Sequence, residues 1–282
     1  MGGSLALACS QAGLCREVMG VTRRSETARQ ALEMGAVHRA TTDLAEGVRA
    51  ADVIVLAAPV RTIIRQLHQL ATLPLPPCVL LDLGSTKRDV VHAMSNLPPQ
   101  VAPLGSHPMC GKETSGLSAA EPTLYQGAPW MLVPLARTSP AALTLARELA
   151  EGVGARPMVL NADRHDRLVA AISHLPYALA VALVLATAEM ANEDDMVWQM
   201  AASGFRDTSR LAGSDVDMML DILMTNRAAV GDALTRASAQ MRLLAGLIAG
   251  GDERRLRALL ASARAVRTGP IPPAKCQTTS DE

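Results

Sequence analysis

The chain has 282 residues, a length that suits two compact domains better than one. Its 27 basic residues equal its 27 acidic residues, so its net charge favours neither nucleic acid nor an anionic membrane as a partner, which leaves a small molecule or another protein chain. Hydrophobic residues make up 49% of the chain and aromatic residues only 2%, which favours helices and buried parallel strands over an aromatic-rich β-sandwich.

The five cysteines are scattered, and no two of them have the CxxC spacing. This pattern predicts neither a disulfide framework nor a metal site, and it fits a reducing cytoplasm. No basic segment precedes an apolar one at the N-terminus, so no signal peptide is expected. The apolar segment 168–190 is about long enough to span a bilayer, but Ser173, His174 and Pro176 within it favour a helix buried in the protein or in a subunit interface.

Residues 17–160 alternate short apolar runs with amphipathic stretches, which predicts a Rossmann-like, doubly wound α/β domain. The predicted helix 26–34 has Ser25 as a candidate N-cap and Gly35 as a left-handed end. Pro59 follows an apolar run and is expected to end a strand at the sheet edge where ligands bind. The predicted strands are 17–22, 52–58, 78–83, 101–105, 130–135 and 156–160.

The strand pattern stops after residue 161. We therefore predict a dinucleotide-binding domain over residues 1–160, an all-helical domain over 161–267 and a flexible tail over 268–282. The wide apolar faces of the helices predict a homodimer formed through the helical domain. The predicted helices are 168–190, 195–203, 216–249 and 253–266.

The chain opens with a helix followed by a strand, an order that in dinucleotide-binding units comes after a strand and a glycine-rich turn. Gly2 would then be the third glycine of a GxGxxG motif. Gly3 and Ser4 would form the first helical turn, whose amides would bind a pyrophosphate. On this interpretation the first strand and the first two glycines are missing, and Met1 is an internal methionine. The alternative is that these residues simply begin a surface helix.

About 20 residues after the glycines, such folds place the side chain that reads the adenosine ribose. The chain has Thr22, Arg23 and Arg24 there, with no carboxylate before Glu26. Two guanidinium groups and a hydroxyl suit a 2′-phosphate, so NADP is the predicted cofactor and NAD the alternative. Arg23 and Arg24 could equally form a solvated pair in a loop.

Four short segments carry polar residues that a packed core does not need: DLGSTK (82–87), GSHPMCGKETSG (105–116), ISHLPY (172–177) and GFRDTSR (204–210). With these segments the chain resembles the prephenate and arogenate dehydrogenases of tyrosine biosynthesis, and looks closest to the short cyanobacterial type. The resemblance extends from Gly2 to about Leu260. It implies oxidative decarboxylation of a cyclohexadienyl substrate, with arogenate as the predicted substrate and prephenate as the alternative.

The resemblance also implies roles for individual residues. His107 matches the family's catalytic histidine, whose neutral imidazole would accept the proton of the substrate hydroxyl. Ser85 would orient His107 or that hydroxyl, although taken alone it could cap the helix that starts near Lys87.

Four further residues would contact the substrate by the same resemblance. Arg210 would clamp a substrate carboxylate through its planar guanidinium group. His174 would line the substrate pocket at the domain junction, where Pro176 would kink its helix. Tyr177 stands where some relatives carry a second histidine, and Glu113 would pair with the ammonium group of arogenate.

Three other polar residues are assigned no chemistry. Cys110 is expected to pack, because hydride transfer with decarboxylation needs no covalent intermediate. His165 and Asp166 are neighbours on a predicted helix and should point in different directions, which favours capping and solvation over a catalytic dyad.

Two rival functions stay open: a hydroxyacid or imine reductase of similar two-domain build, and a non-catalytic binding protein.

Overall fold

A computed structural model of the chain describes residues 1–111 and 116–269. It contains two compact units, Met1–Gly231 and Asp232–Glu282. The strands are β1 (Met19–Val21), β2 (Arg39–Thr41), β3 (Val53–Leu56), β4 (Cys78–Asp82), β5 (Val101–Pro108), β6 (Pro129–Pro134) and β7 (Arg156–Val159). The helices are α1 (Gly2–Gln11), α2 (Ser25–Glu33), α3 (Leu44–Val48), α4 (Val60–Leu70), α5 (Arg88–Met94), α6 (Pro140–Gly152), α7 (Ala162–Val169), α8 (Leu175–Ala191), α9 (Met196–Gln199), α10 (Ser203–Ser209), α11 (Val216–Thr225), α12 (Arg227–Ala249) and α13 (Glu253–Thr268).

The five-stranded sheet has the order β3-β4-β5-β6-β7, and β1 and β2 form a separate parallel pair. Strands β3, β4 and β5 run parallel, β6 runs antiparallel to β5, and β7 runs parallel to β6. The carboxyl ends of β3, β4 and β5 therefore lie at one edge of the sheet. This is the edge where ligands bind in open α/β folds.

Both faces of this sheet are covered by helices. In β4, Leu80 belongs to a core cluster with Ile63 of α4, whereas the next residue, Leu81, belongs to a second cluster with Leu5 of α1 and Ala146 of α6. Successive side chains of a strand point to opposite faces, so β4 contributes to both cores. The predicted Rossmann-like, doubly wound domain followed by a helical region is confirmed.

Two helix starts differ from the predictions. Helix α2 begins at Ser25 itself, Arg24 holds the N-cap position, and the prediction that Ser25 caps the helix is wrong. Gly35 has a φ of +63°, which confirms the predicted left-handed end. Helix α5 has Lys87 at its N-cap without a side-chain capping bond, so the alternative role of Ser85 as a cap is also wrong.

The long apolar helix is irregular where the sequence predicts a proline kink. A π-helical turn at Ala170–His174 joins α7 to α8 in one continuous helix, and Pro176 follows this turn. Pro176 has no N–H to donate, and its ring displaces the carbonyl four residues earlier, which belongs to the π-helical turn. The irregularity therefore precedes the proline. Asn226 likewise interrupts the predicted helix 216–249 and separates α11 from α12.

The continuous helix Ala162–Ala191 is long and apolar enough to cross a membrane by length and composition alone, which is weak evidence of a span. Only 22% of its most apolar window is buried within the chain, so the prediction of a helix buried in the protein is wrong for this single chain. Leu185 and Met190 are among the exposed apolar side chains of α8. The other predicted location, a subunit interface, stays a prediction.

Candidate active site

His107 lies near the carboxyl end of β5, opposite Met131 of β6. Its side chain is half-buried, whereas the preceding Ser106 is completely buried on the opposite face of the strand. Burial, followed by the nearby His165, Lys87 and His174, lowers the pKa of His107 well below its ordinary value of 6.5. The imidazole is therefore neutral at physiological pH, the state in which it can accept a proton.

His165 and Asp166 of α7 join His107 in a hydrogen-bonded chain. Nε2 of His165 lies 2.9 Å from Nδ1 of His107, and Nδ1 of His165 lies 2.8 Å from Oδ1 of Asp166. His165 and Asp166 are each only 1% exposed, so the prediction that they are capping and solvated residues is wrong. Because α7 packs against both α5 and β6, two adjacent faces of this helix are covered.

The carboxylate of Asp166 is held by the N-terminus of α5. Oδ1 accepts a hydrogen bond from the amide of Lys87 at 2.8 Å, and Oδ2 accepts one from the amide of Arg88 at 2.9 Å. Burial alone would raise the pKa of Asp166, but the hydrogen bonds from His165, Arg88 and Lys87 lower it below its ordinary value. The positive end of a helix also favours an ionised carboxylate.

Lys87 and Asp82 form a buried ion pair beside the site. The ammonium of Lys87 donates hydrogen bonds to Oδ2 of Asp82 and, at 2.7 Å, to the carbonyl of Ser106. Asp82 also accepts hydrogen bonds from the amides of Gly84 and Ser106, at 2.8 and 2.9 Å. These bonds tie the end of β4, the start of α5 and the residue before His107 to one another.

His174 and Tyr177 are both placed in the interior of the first unit. His174 is 1% exposed, and its Nδ1 lies 3.3 Å from the side-chain amide of Asn226, which also donates to the backbone carbonyl of Asp166 at 2.8 Å. Burial lowers the pKa of His174 to about 4. Tyr177 is half-buried against the core cluster that contains Ile222. Substrate contacts by His174 and Tyr177 stay predictions.

The other predicted substrate and catalytic residues are less tightly placed. Ser85 is half-buried in the loop after β4, and its hydroxyl makes no hydrogen bond to His107 or to any other residue in the ranges 1–111 and 116–269. Its neighbour Thr86 pairs with Thr225 of α11, with 2.8 Å between the hydroxyl oxygens. Arg210 is exposed at the start of a 3-10 turn that packs against α8. Glu113 lies outside the described residues.

The first turn of α1 lies beside the end of β3. A Cβ placed on Gly2 would come within 2.8 Å of the Cβ of Ala57, and one on Gly3 within 2.5 Å of Leu117. Only glycine therefore fits this approach without displacing its neighbours. Ser4 is buried, and its hydroxyl accepts a hydrogen bond from the amide of Glu121 at 3.1 Å.

Two further predicted cofactor contacts follow β3 and β1. Pro59 immediately precedes α4, two residues beyond Ala57. After β1, the hydroxyl of Thr22 donates to the carbonyl of Arg24 at 2.8 Å, and the side chains of Arg23 and Arg24 are exposed. A helix N-terminus with glycine at its first position and an exposed pair of guanidinium groups fit a dinucleotide. That a strand precedes Met1 stays a prediction.

A doubly wound domain whose polar side chains collect at the carboxyl edge places the chain in the Rossmann-like class. Residues 5–159 match the family model for the nucleotide-binding domain of prephenate dehydrogenase, and residues 161–262 match the model for its dimerization domain. The chain therefore belongs to the prephenate dehydrogenase family, and the resemblance found in the sequence is confirmed.

Individual relatives agree with this assignment. The chain is 33% identical over 234 residues to prephenate dehydrogenase of Bacillus subtilis; the match covers 82% of this chain but only 63% of the relative. Prephenate dehydrogenase of Aquifex aeolicus, solved with hydroxyphenyl propionate and NAD+, has a TM-score of 0.87 at 28% identity, with 94% and 93% of the two chains covered. Arogenate dehydrogenase of Synechocystis has a TM-score of 0.81 at 29% identity, with 94% of each chain covered.

The sequence contains a signal that would have identified the buried pair. Asn161 is the N-cap of α7, and its side chain accepts the amide of Arg164 at 2.8 Å. With this cap in place, α7 does not need His165 or Asp166 at its terminus. A histidine and an aspartate in the second turn of a helix that already has a cap therefore call for another partner.

Proposed function

We propose that the chain catalyses the NADP-dependent oxidative decarboxylation of arogenate to tyrosine, with prephenate as the alternative substrate. The observation that carries this proposal is His107, a neutral imidazole at the ligand-binding edge of the sheet, backed by two buried residues. Family membership gives the class of reaction. The sequence interpretation of Arg23 and Arg24 gives the cofactor preference.

His107 supplies the proton acceptor that the reaction needs. Hydride leaves the ring carbon that bears the hydroxyl, the hydroxyl loses its proton, and the ring carboxylate departs as carbon dioxide. The nicotinamide, when bound, takes the hydride. Proton acceptance by His107 strengthens its hydrogen bond to the substrate oxygen as negative charge develops there, which stabilises the transition state more than the ground state.

The remaining polar residues bind and orient the substrate. In this proposal Arg210 pairs with a carboxylate of the substrate, and Ser85, on the same sheet edge as His107, orients the substrate hydroxyl. His174, Tyr177 and Glu113 complete the substrate site as the family resemblance implies.

The cofactor would be held at the start of α1 and after β1. The amides of Gly2, Gly3 and Ser4 belong to the first turn of α1, where amides have no partner within the helix, and they would bind the pyrophosphate next to Pro59. Thr22, Arg23 and Arg24 would bind the 2′-phosphate of NADP, with NAD as the alternative. The Aquifex aeolicus relative was solved with NAD+, which supports a nicotinamide dinucleotide of either kind.

A cytoplasmic homodimer belongs to the same proposal. The apolar side chains that α8 and α11 leave exposed, among them Leu185, Met190 and Leu220, support association with a second copy. The family model that matches residues 161–262 is that of a dimerization domain. Sedimentation that gives a monomer at micromolar concentration would contradict the homodimer.

The test is an assay of the purified chain with arogenate and prephenate, each with NAD and NADP. We expect turnover with at least one of the two substrates and the highest kcat/KM for arogenate with NADP. A set of β-hydroxyacids and cyclic imines in the same assay tests the rival reductase. Turnover of neither arogenate nor prephenate, under conditions where the chain is folded by circular dichroism, would overturn the proposal.

A further inference from the structure

We propose that His165 and Asp166 are a positioning pair that holds His107 in one tautomer, with its unprotonated Nε2 directed to the substrate. The inference rests on the proposed function, because it assigns the two residues a task behind the proton acceptor. Neither residue is expected to touch the substrate or the cofactor.

The series of hydrogen bonds from Asp166 through His165 to His107 begins at the carboxylate of Asp166. This carboxylate accepts two backbone amides from the start of α5, at 2.8 Å from Lys87 and 2.9 Å from Arg88. Both amides are fixed donors, so they favour the ionised carboxylate over a protonated one. An ionised Asp166 can only accept a hydrogen bond, and therefore Nδ1 of His165, 2.8 Å away, must carry a proton.

The tautomer of His107 follows from that of His165. A neutral imidazole with a proton on Nδ1 has a lone pair on Nε2. The proposal takes His165 as neutral, because a second proton on it would place a cation beside His107 and Lys87. Its Nε2 then accepts, and Nδ1 of His107, at 2.9 Å, donates. The remaining nitrogen of His107, Nε2, is left without a proton. This is the nitrogen that accepts the hydroxyl proton of the substrate.

The pair also supports His107 after it has taken the proton. The Nδ1–H of the imidazolium then donates more strongly to Nε2 of His165. The Nδ1–H of His165 is itself bound to the carboxylate of Asp166, so both hydrogen bonds stabilise the new charge. Among the residues that the structure describes, the titratable groups that act on the charge of His107 are His165, His174 and Lys87. The charge of Lys87 is balanced by Asp82. Asp166 is therefore the carboxylate that acts on His107, through His165.

Asn226, directly after α11, also fixes this arrangement. Its amide donates to the backbone carbonyl of Asp166 at 2.8 Å and lies 3.3 Å from Nδ1 of His174. All three residues are at least 95% buried, so solvent does not compete for these bonds. The pair is therefore held from two directions, by α5 at the carboxylate and by Asn226 at the backbone.

Two substitutions of His165 separate its hydrogen bond to Asp166 from its hydrogen bond to His107. His165→Asn retains a donor near Asp166 but is too short to reach His107. His165→Gln places a carbonyl oxygen near the position of Nε2, where it can still accept from His107. We expect kcat to fall about 10- to 100-fold in His165→Asn and clearly less in His165→Gln, with each KM changed by no more than about twofold. His92→Asn, an exposed histidine of α5, is the matched control and should equal the wild type.

The pH profile distinguishes positioning from folding. A protonated His165 lowers the pKa of His107 by repulsion, whereas the neutral, accepting His165 proposed here raises it. The acidic limb of kcat/KM should therefore move to lower pH in His165→Asn, and a shift to higher pH would contradict the proposal. A purely structural role would lower the amount of active enzyme equally at each pH. Equal loss in both His165 variants, with an unshifted limb, would overturn the proposal.

The tautomers give a readout that does not depend on turnover. In 15N-labelled wild-type protein, His107 and His165 should both be neutral with the proton on Nδ1, and His107 should become a mixture of tautomers in His165→Asn. A wild-type His107 with its proton on Nε2 would overturn the inference. If wild type turned over neither arogenate nor prephenate, the proposed function would fail, and these spectra would still decide whether the positioning pair exists.

Discussion

Lys87 and Asp82 form an ion pair that is completely closed to solvent, directly behind the loop that carries Ser85. The same ammonium binds the carbonyl of Ser106, and the same carboxylate binds the amides of Gly84 and Ser106. The pair therefore determines where two loops of the proposed site begin. Its contribution to stability depends on both charges being present, since each would be costly to bury alone.

Removal of the ammonium alone should destabilise the fold. In Lys87→Met the carboxylate of Asp82 stays buried without its partner, and we expect the free energy of unfolding to fall by about 3–5 kcal/mol. Urea denaturation measures this change, and Arg147→Met on the exposed side of α6 is the control. The double variant with Asp82→Asn should recover part of the loss. A single variant within about 1 kcal/mol of wild type would contradict a coupled pair.

Replacement of His107 should affect turnover and not cofactor affinity. His107→Asn cannot accept a proton as imidazole does, and we expect kcat to fall by roughly 10²-fold or more. The Kd for NADPH, measured by fluorescence titration, should stay within about twofold of wild type. His92→Asn again serves as the control. Near-normal turnover in His107→Asn would exclude it as the proton acceptor.

The proposed 2′-phosphate site can be tested by charge removal. With Arg23→Ala and Arg24→Ala combined, KM for NADP should rise by about 10-fold or more, because charge-assisted hydrogen bonds are worth about 1.5–3 kcal/mol each. KM for NAD should change little. Arg147→Ala removes an exposed guanidinium from α6 and should leave both values unchanged. A wild-type preference for NAD would refute the assignment before any substitution is made.

Acid should destabilise the protein in part through His174. Its pKa is about 4 when folded and 6.5 ordinarily, so the unfolded chain binds the proton first as the pH falls. The stabilisation is complete above about pH 6.5 and is lost towards about pH 4, and it amounts to about 3 kcal/mol. The lowered pKa of His107 acts in the same direction.

His174→Asn provides the comparison for this pH dependence. The asparagine retains an acceptor near Asn226 and cannot titrate. Urea unfolding between about pH 7 and about pH 4.5 should therefore show a smaller decrease in stability than wild type, whatever the difference at neutral pH. Parallel curves for the two proteins would show that His174 does not contribute to the acid sensitivity.

The sequence predicts the strands of the main sheet well because each is a short apolar run with a clear end. The predicted strand 78–83, for example, is observed as Cys78–Asp82. The strand β2 was not predicted, because Arg39–Thr41 has three residues and no apolar alternation. Its partner β1 supplies the hydrogen bonds, a tertiary interaction that local propensity does not contain.

The residues of the candidate site are likewise predictable only where the signal is local in the sequence. His107 could be found because its motif is local and lies where a strand ends. The buried position of Lys87 is not predicted, because a lysine is rarely buried unless it is paired. Its partner Asp82 cannot be identified from spacing alone. The prediction for His165 and Asp166 is wrong because it applies a rule for isolated helices, which fails when both α5 and β6 pack against α7.

The π-helical turn at Ala170–His174 decides which way the following helix faces. At about 100° per residue, an ordinary helix would place Asp166 and His174, eight positions apart, about 80° from each other around the helix axis. The wider turn accommodates roughly one additional residue, which rotates everything after it by about a quarter of a revolution. Asn226 can consequently contact both Asp166 and His174. Deletion of one residue from this turn would thus rephase α8, moving His174 away from Asn226 and turning a different stripe of apolar side chains outward.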